Sequence, residues 1–109
     1  MALEYCYPLK EGEVLNHEHP EWPLFEVTIH GSDKERVKLS KRLVCAVKHL
    51  PLRLSIKYEK NAEKSIEIGV AKDPTLEYKG VFIAEGLVPA EELTETFENL
   101  LKKCSEDKA

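Results

Sequence analysis

Two short apolar stretches on either side of one amphipathic segment constrain this chain most. Leu24–His30 (LFEVTIH) is rich in β-branched and aromatic residues and reads as a buried strand. Leu52–Tyr58 (LRLSIKY) alternates, with Leu52, Leu54, Ile56 and Tyr58 on one face and Arg53, Ser55 and Lys57 on the other. A strand buried on one side gives this period of two. Between them Gly31-Ser32 breaks the first strand, and Ser32 and Glu35 have the spacing of a capping box. Asp33 and Glu35 also put negative charge at the positive end of a helix dipole. The spacing of Val37, Leu39, Leu43, Val44, Ala46, Val47 and Leu50 predicts a helix from about Asp33 to His49, stopped by Pro51. Strand, helix, strand implies a parallel pair joined by a right-handed crossover.

The remainder of the chain extends this unit. Asn61 is placed to cap a short helix carrying Ala62, Ile66 and Val70, with Gly69 ending it, and a strand over Ser65–Val70 competes. Thr75–Tyr78 and Val81–Glu85 flank Lys79-Gly80, a tight hairpin signal. Pro89 suits the first turn of a final helix, whose apolar stripe is Leu93, Phe97, Leu100, Leu101 and Cys104. The expected order is β-α-β-α-β-β-α, a mixed four-stranded α/β sandwich. At 109 residues the chain holds one core, divided as an irregular N-terminal arm (1–23), a domain (24–104) and a frayed tail (105–109). The arm contains Pro8, Pro20 and Pro23, and its Leu3, Tyr5, Tyr7, Val14, Leu15 and Trp22 are expected to cover part of the domain.

Charge and composition exclude several classes of function. The net charge of −4 argues against non-specific nucleic-acid binding. No apolar run approaches the roughly 20 residues of a membrane helix. The N-terminus lacks the basic and apolar regions of a secretory signal, so the expected compartment is the cytoplasm. Cys6, Cys45 and Cys104 are odd in number, far apart and free of C-x-x-C spacing. A disulfide framework or a cysteine-only zinc site is therefore not expected.

The element order, with Pro74 just before the third strand, resembles the thioredoxin-like superfamily, and most closely its small archaeal and bacterial members. The stretch DPTLEYKGVFIAEGLVPAEELTETFENLLKK carries the likeness through Pro74, Gly80, Gly86, Val88, Pro89, Glu91, Glu92 and Leu93. The resemblance covers about Leu24–Lys103 and implies a three-layer sandwich with Pro74 cis. It also places a C-x-x-C pair at the start of the first helix. Here His30-Gly31-Ser32-Asp33-Lys34-Glu35-Arg36 fills that place, and the two cysteine positions align with Asp33 and Arg36. Neither side chain can form or attack a disulfide. The resemblance then implies a redox-inactive domain that binds a protein or peptide through Ser32, Asp33, Glu35, Arg36, Asp73, Pro74, Thr75 and the loop after Glu85.

Cys45 has Lys41, Lys48 and His49 at helical spacing, and nearby cations would make a thiol reactive. That defines an alternative, a single-cysteine oxidoreductase or peroxide-reactive enzyme, against a small residue at the margin of the apolar face. Cys104 continues the apolar stripe of the last helix. His17 and His19, two apart, would point the same way in an extended segment and offer two ligands to a metal. Two ligands are not a site, and a polar loop accounts for them. Trp22–Phe25 read as core or, near Pro74, as the lining of a peptide groove. No cofactor is expected, and the chain is expected to be a monomer or weak dimer.

Overall fold

The parallel pair demanded by the strand–helix–strand pattern forms the middle of the sheet. In the computed structural model, which describes residues 6–107 with side chains through 104, β2 (Leu24–His30) runs parallel to β3 (Arg53–Glu59) with Phe25 opposite Leu54 and Val27 opposite Ile56. Helix α1 (Asp33–Val47) makes the crossover. It ends two residues short of expectation, and Leu50 N–H closes a tight turn on the Val47 carbonyl before Pro51. On the other side of β2 lies β4 (Thr75–Tyr78), antiparallel, with Thr75 opposite His30. β5 (Val81–Glu85) returns along β4 through Lys79 and Gly80, both at positive φ as the tight turn requires.

Among the described residues the sheet has five strands, not the expected four. Val14–Leu15 forms β1, antiparallel to β3, so the sheet order is β1-β3-β2-β4-β5. The arm is therefore not wholly irregular. It missed detection because two residues carry no periodicity. The arm is also anchored elsewhere: Leu9 is buried, its N–H donates to Ser40 Oγ at 3.0 Å, and Asn16 Nδ2 donates to the Leu52 carbonyl at 3.0 Å. Tyr7 is exposed, whereas the expectations for Leu3 and Tyr5 lie outside the described residues.

The core fills one face of the sheet. Side chains alternate across a strand. Phe25, Val27 and Ile29 therefore share a face with Leu54, Ile56 and Leu76, and all six are buried. Leu39, Leu43 and Val47 of α1 and Leu93 and Phe97 of α3 (Ala90–Asp107) complete that core. Phe97 meets Phe25 edge-to-face at 5.8 Å between centroids, the arrangement the ring quadrupoles favour. Val37, expected in the apolar stripe, is exposed, and α1 buries Arg36 and Ser40 instead. α3 continues as helix through Asp107, past the expected start of the frayed tail at 105; residues 108 and 109 lie outside the described residues. On the opposite face Glu26 is exposed and Thr28 half-buried, and His30 at the end of the strand is met by the short helix α2 (Ala62–Glu67). Asn61 caps α2 as expected, accepting from the Glu63 and Lys64 amides. The residue α2 buries is Ser65; Ile66 is 70% exposed.

The cysteine expectation is overturned. Cys6 and Cys45 are joined by a disulfide, with Cα atoms 5.7 Å apart and a separation of 39 positions in the chain. Folding the arm over α1 creates this proximity, which chain spacing does not reveal. Cys45 is therefore not the free thiol that a single-cysteine enzyme needs. Cys104 is the free cysteine among the described residues, half-buried against the core.

Beside this bridge, Tyr58 of β3 donates its hydroxyl to the Leu9 carbonyl and lies 2.7 Å from Ser40 Oγ. Burial pushes the Tyr58 phenol above its ordinary 10.0, and the Ser40 hydrogen bond opposes the shift. The folded state then keeps a proton that the unfolded chain releases. The stabilisation is complete below about pH 10 and is lost as pH rises through the higher folded value. We expect Tyr58→Phe to cost about 1–2 kcal/mol at neutral pH. We also expect it to flatten the alkaline decline in stability, read by urea unfolding between about pH 8 and pH 11. An unchanged decline would assign it to other groups.

Candidate functional site

The start of α1 is built against the loop that precedes β4. Gly31 ends β2 at φ +141°, a backbone conformation that side chains disfavour. A Cβ there would overlap Asp73 Oδ1 and approach Pro74 Cα to 3.2 Å. The glycine therefore lets two chain segments 42 residues apart touch. The Asp73–Pro74 peptide bond at this contact is cis.

Asp73 takes over the role expected of a capping box. Its Oδ1 accepts from the Ser32 backbone N–H at 2.9 Å, a charge-assisted bond. The Ser32 side chain makes no cap bond, and Glu35 turns instead toward Lys38, 3.4 Å away. The capping-box expectation thus fails: a carboxylate from a distant loop takes the Ser32 amide that Glu35 was expected to accept from. Arg36 is buried, donating through Nη1 to the Gly31 carbonyl at 2.5 Å and through Nη2 to Asp33. Its guanidinium is held in place, and its acidic partner is Asp33.

Two of the expected binding residues have no surface to offer. Pro74 and Thr75 are buried. The Pro74 carbonyl accepts from Gly86 N–H at 2.7 Å, and Thr75 Oγ1 donates to the Lys72 carbonyl at 2.7 Å. They position Asp73, as does the loop after Glu85. Ser32, Asp33, Arg36 and Asp73 do line an open cleft of about 530 Å³, and Glu35 does not. The rest of the lining comes from α2 and the segments on either side of it, with Lys60, Ser65, Ile66, Val70 and Lys72. Polar groups of both signs therefore stand beside apolar side chains, the composition of ligand sites.

Sequence patterns do not single out His30, the last residue of β2, as a functional group. It is 2% exposed. Its Nε2 lies 2.7 Å from Glu77 Oε1 and its Nδ1 lies 2.7 Å from Ser65 Oγ. Phe82 stands edge-on to the ring at 6.4 Å. The three polar residues come from β2, α2 and β4, 35 and 47 positions apart. The available signal was the parity of His30, which puts it on the face of Glu26 and Thr28 and not with the apolar set.

The other candidates separate from this site. A larger groove, about 720 Å³, runs along the seam between the arm and α1, past Cys6, Pro8, Leu15, Val37 and Val44. It is mostly apolar, and the Tyr58 hydroxyl beside it is already engaged with Leu9 and Ser40. His19 stacks on Trp22 at 3.8 Å between centroids and lies 3.2 Å from Glu21 through Nδ1. His17 lies 3.7 Å from Glu18. The Glu21 carboxyl is held below its usual range by a backbone hydrogen bond first and by His19 as well. No group of three or more His, Cys, Asp or Glu among the described residues is arranged to hold a metal ion. Trp22–Phe25 lie at the start of β2, whereas Pro74 sits by its end at His30, so they cannot line a groove with it. No helix among the described residues is long and apolar enough to cross a membrane. Comparison with protein-family models, with curated proteins and with solved structures gave no match to this chain.

Proposed function

We propose that this protein is a thioredoxin-like domain that has replaced dithiol chemistry at the start of its first helix with peptide or protein binding. The order β3-β2-β4-β5, its one parallel and two antiparallel pairings, and the cis Asp73–Pro74 peptide against the start of α1 support this reading. Asp33 and Arg36 align with the positions of the reactive pair.

The observation that carries the binding function is the cleft between α1 and α2. Ile66 stands on its rim with 70% of its surface exposed. Covering such a side chain on binding contributes about 1.5–3 kcal/mol. Lys60 and Lys72, together with Asp33 and Asp73, would orient an extended peptide with an apolar anchor and flanking charges.

A peptide library selected on the immobilised protein tests this. The expected result is a consensus with one apolar position, whose affinity falls at least about tenfold in Ile66→Asp. Val81→Asp, on the exposed β5 edge outside the cleft, is expected to bind as the unaltered protein does. Selection of no consensus, or a ligand indifferent to Ile66→Asp, would overturn the reading.

A further inference from the structure

The cleft has a second chemical feature that peptide binding does not use. Ser65 is 7% exposed, and it is the one residue of α2 that is buried. Ser65 lines the cleft, and its Oγ begins a hydrogen-bonded chain that runs through His30 to Glu77. A carboxylate can only accept hydrogen bonds. With Glu77 2.7 Å from Nε2, that nitrogen carries the ring proton, and Nδ1 presents its lone pair. The hydroxyl of Ser65, 2.7 Å away, then donates to Nδ1. Its other acceptor, the Asn61 carbonyl one turn back, is at 3.4 Å and competes poorly.

We propose that Ser65 is a nucleophile that accepts acyl groups from small carboxylic esters entering the cleft, with His30 as general base and Glu77 orienting the imidazole. A serine next to a base that is itself held by an acid is the arrangement that activates a hydroxyl. The ring nitrogens are exchanged relative to the commonest serine-hydrolase arrangement, which leaves the proton path intact. In the acylation step Oγ bonds to the ester carbonyl carbon while its proton passes to His30 Nδ1. Glu77 stabilises the imidazolium. The tetrahedral intermediate then expels the alkoxide, which takes the proton from His30 and leaves as the alcohol. The acyl group remains on Ser65, and water attacking by the same path releases the carboxylic acid. Lys60 and Lys72 line the same cleft and bring positive charge toward the developing oxyanion.

This inference shares the cleft with the binding reading but not its ligand, so each can fail alone. The test uses the full-length protein with p-nitrophenyl acetate and, separately, a fluorophosphonate probe. The expected result is a burst of about one nitrophenolate per chain and one acetyl group mapped to Ser65 by mass spectrometry. Ser65→Ala is expected to slow acylation by about a hundredfold or more. Glu77→Gln keeps the side chain's size, but its amide can donate to Nε2 and reverse the tautomer. It is expected to slow acylation similarly, with an unfolding midpoint that shows the fold intact. Ser65→Cys is expected to restore labelling, now on sulfur. Acetyl groups found only on lysines, or a Ser65→Ala protein reacting at the unaltered rate, would overturn the proposal.

Discussion

Reduction of the Cys6–Cys45 disulfide is expected to lower the unfolding free energy by about 4 kcal/mol, because the bond closes a loop of 39 residues that the reduced unfolded chain is free to open. The native arm keeps other attachments. Leu9 remains bonded to Ser40 and Tyr58, and Asn16 to the Leu52 carbonyl. The effect therefore falls mainly on the unfolded state, and the reduced protein is expected to keep its fold. Urea unfolding with and without reductant, alongside a Cys6→Ser/Cys45→Ser double variant, measures it. The oxidised chain should unfold at a clearly higher midpoint and show one reactive thiol when denatured, against three after reduction. Coincident midpoints with those thiol counts would mean that the bridge adds nothing.

Gly31→Ala is expected to cost about 3 kcal/mol, the largest effect of any single substitution considered near the cleft. Two causes act together. The residue sits at φ +141°, and a new Cβ overlaps the Asp73 carboxylate, which must then release the Ser32 amide. The second cause makes a specific prediction for Asp73→Ala. Alone it removes the charge-assisted bond, at about 1.5–3 kcal/mol. Combined with Gly31→Ala it also removes the overlap. The double variant is therefore expected to be more stable than the sum of the single losses predicts, by about 1 kcal/mol or more. Strict additivity in denaturation midpoints would show that Gly31 and Asp73 do not meet as described.

The sequence was informative where the physics is local. Strands β2 and β3, the Lys79-Gly80 turn and the Asn61 cap all follow from periodicity or backbone preference within a few residues. It failed where partners come from far along the chain. Ser32 and Glu35 have capping-box spacing, yet Asp73, 41 residues from Ser32, takes the amide. Cys6 and Cys45 look unrelated until the arm folds across α1. His30, Ser65 and Glu77 carry no mutual spacing signal because three separate elements bring them together. α2 shows the same limit on a smaller scale. Its apolar Ile66 suggested the buried face, but the helix lies against a histidine, so the polar Ser65 points inward. The candidate binding set was half legible. Ser32, Asp33, Arg36 and Asp73 line the cleft, while the α2 wall opposite them was not foreseen.

The claim that the cleft between α1 and α2 binds a peptide is tested most directly by amide chemical-shift mapping with the library-selected peptide. The account predicts that the largest shifts fall on Gly31–Arg36, on Lys60–Ile66 and on Val70–Asp73, and that Ile66→Asp abolishes them. Shifts confined to the groove between the arm and α1, around Cys6, Pro8, Val37 and Val44, would contradict it.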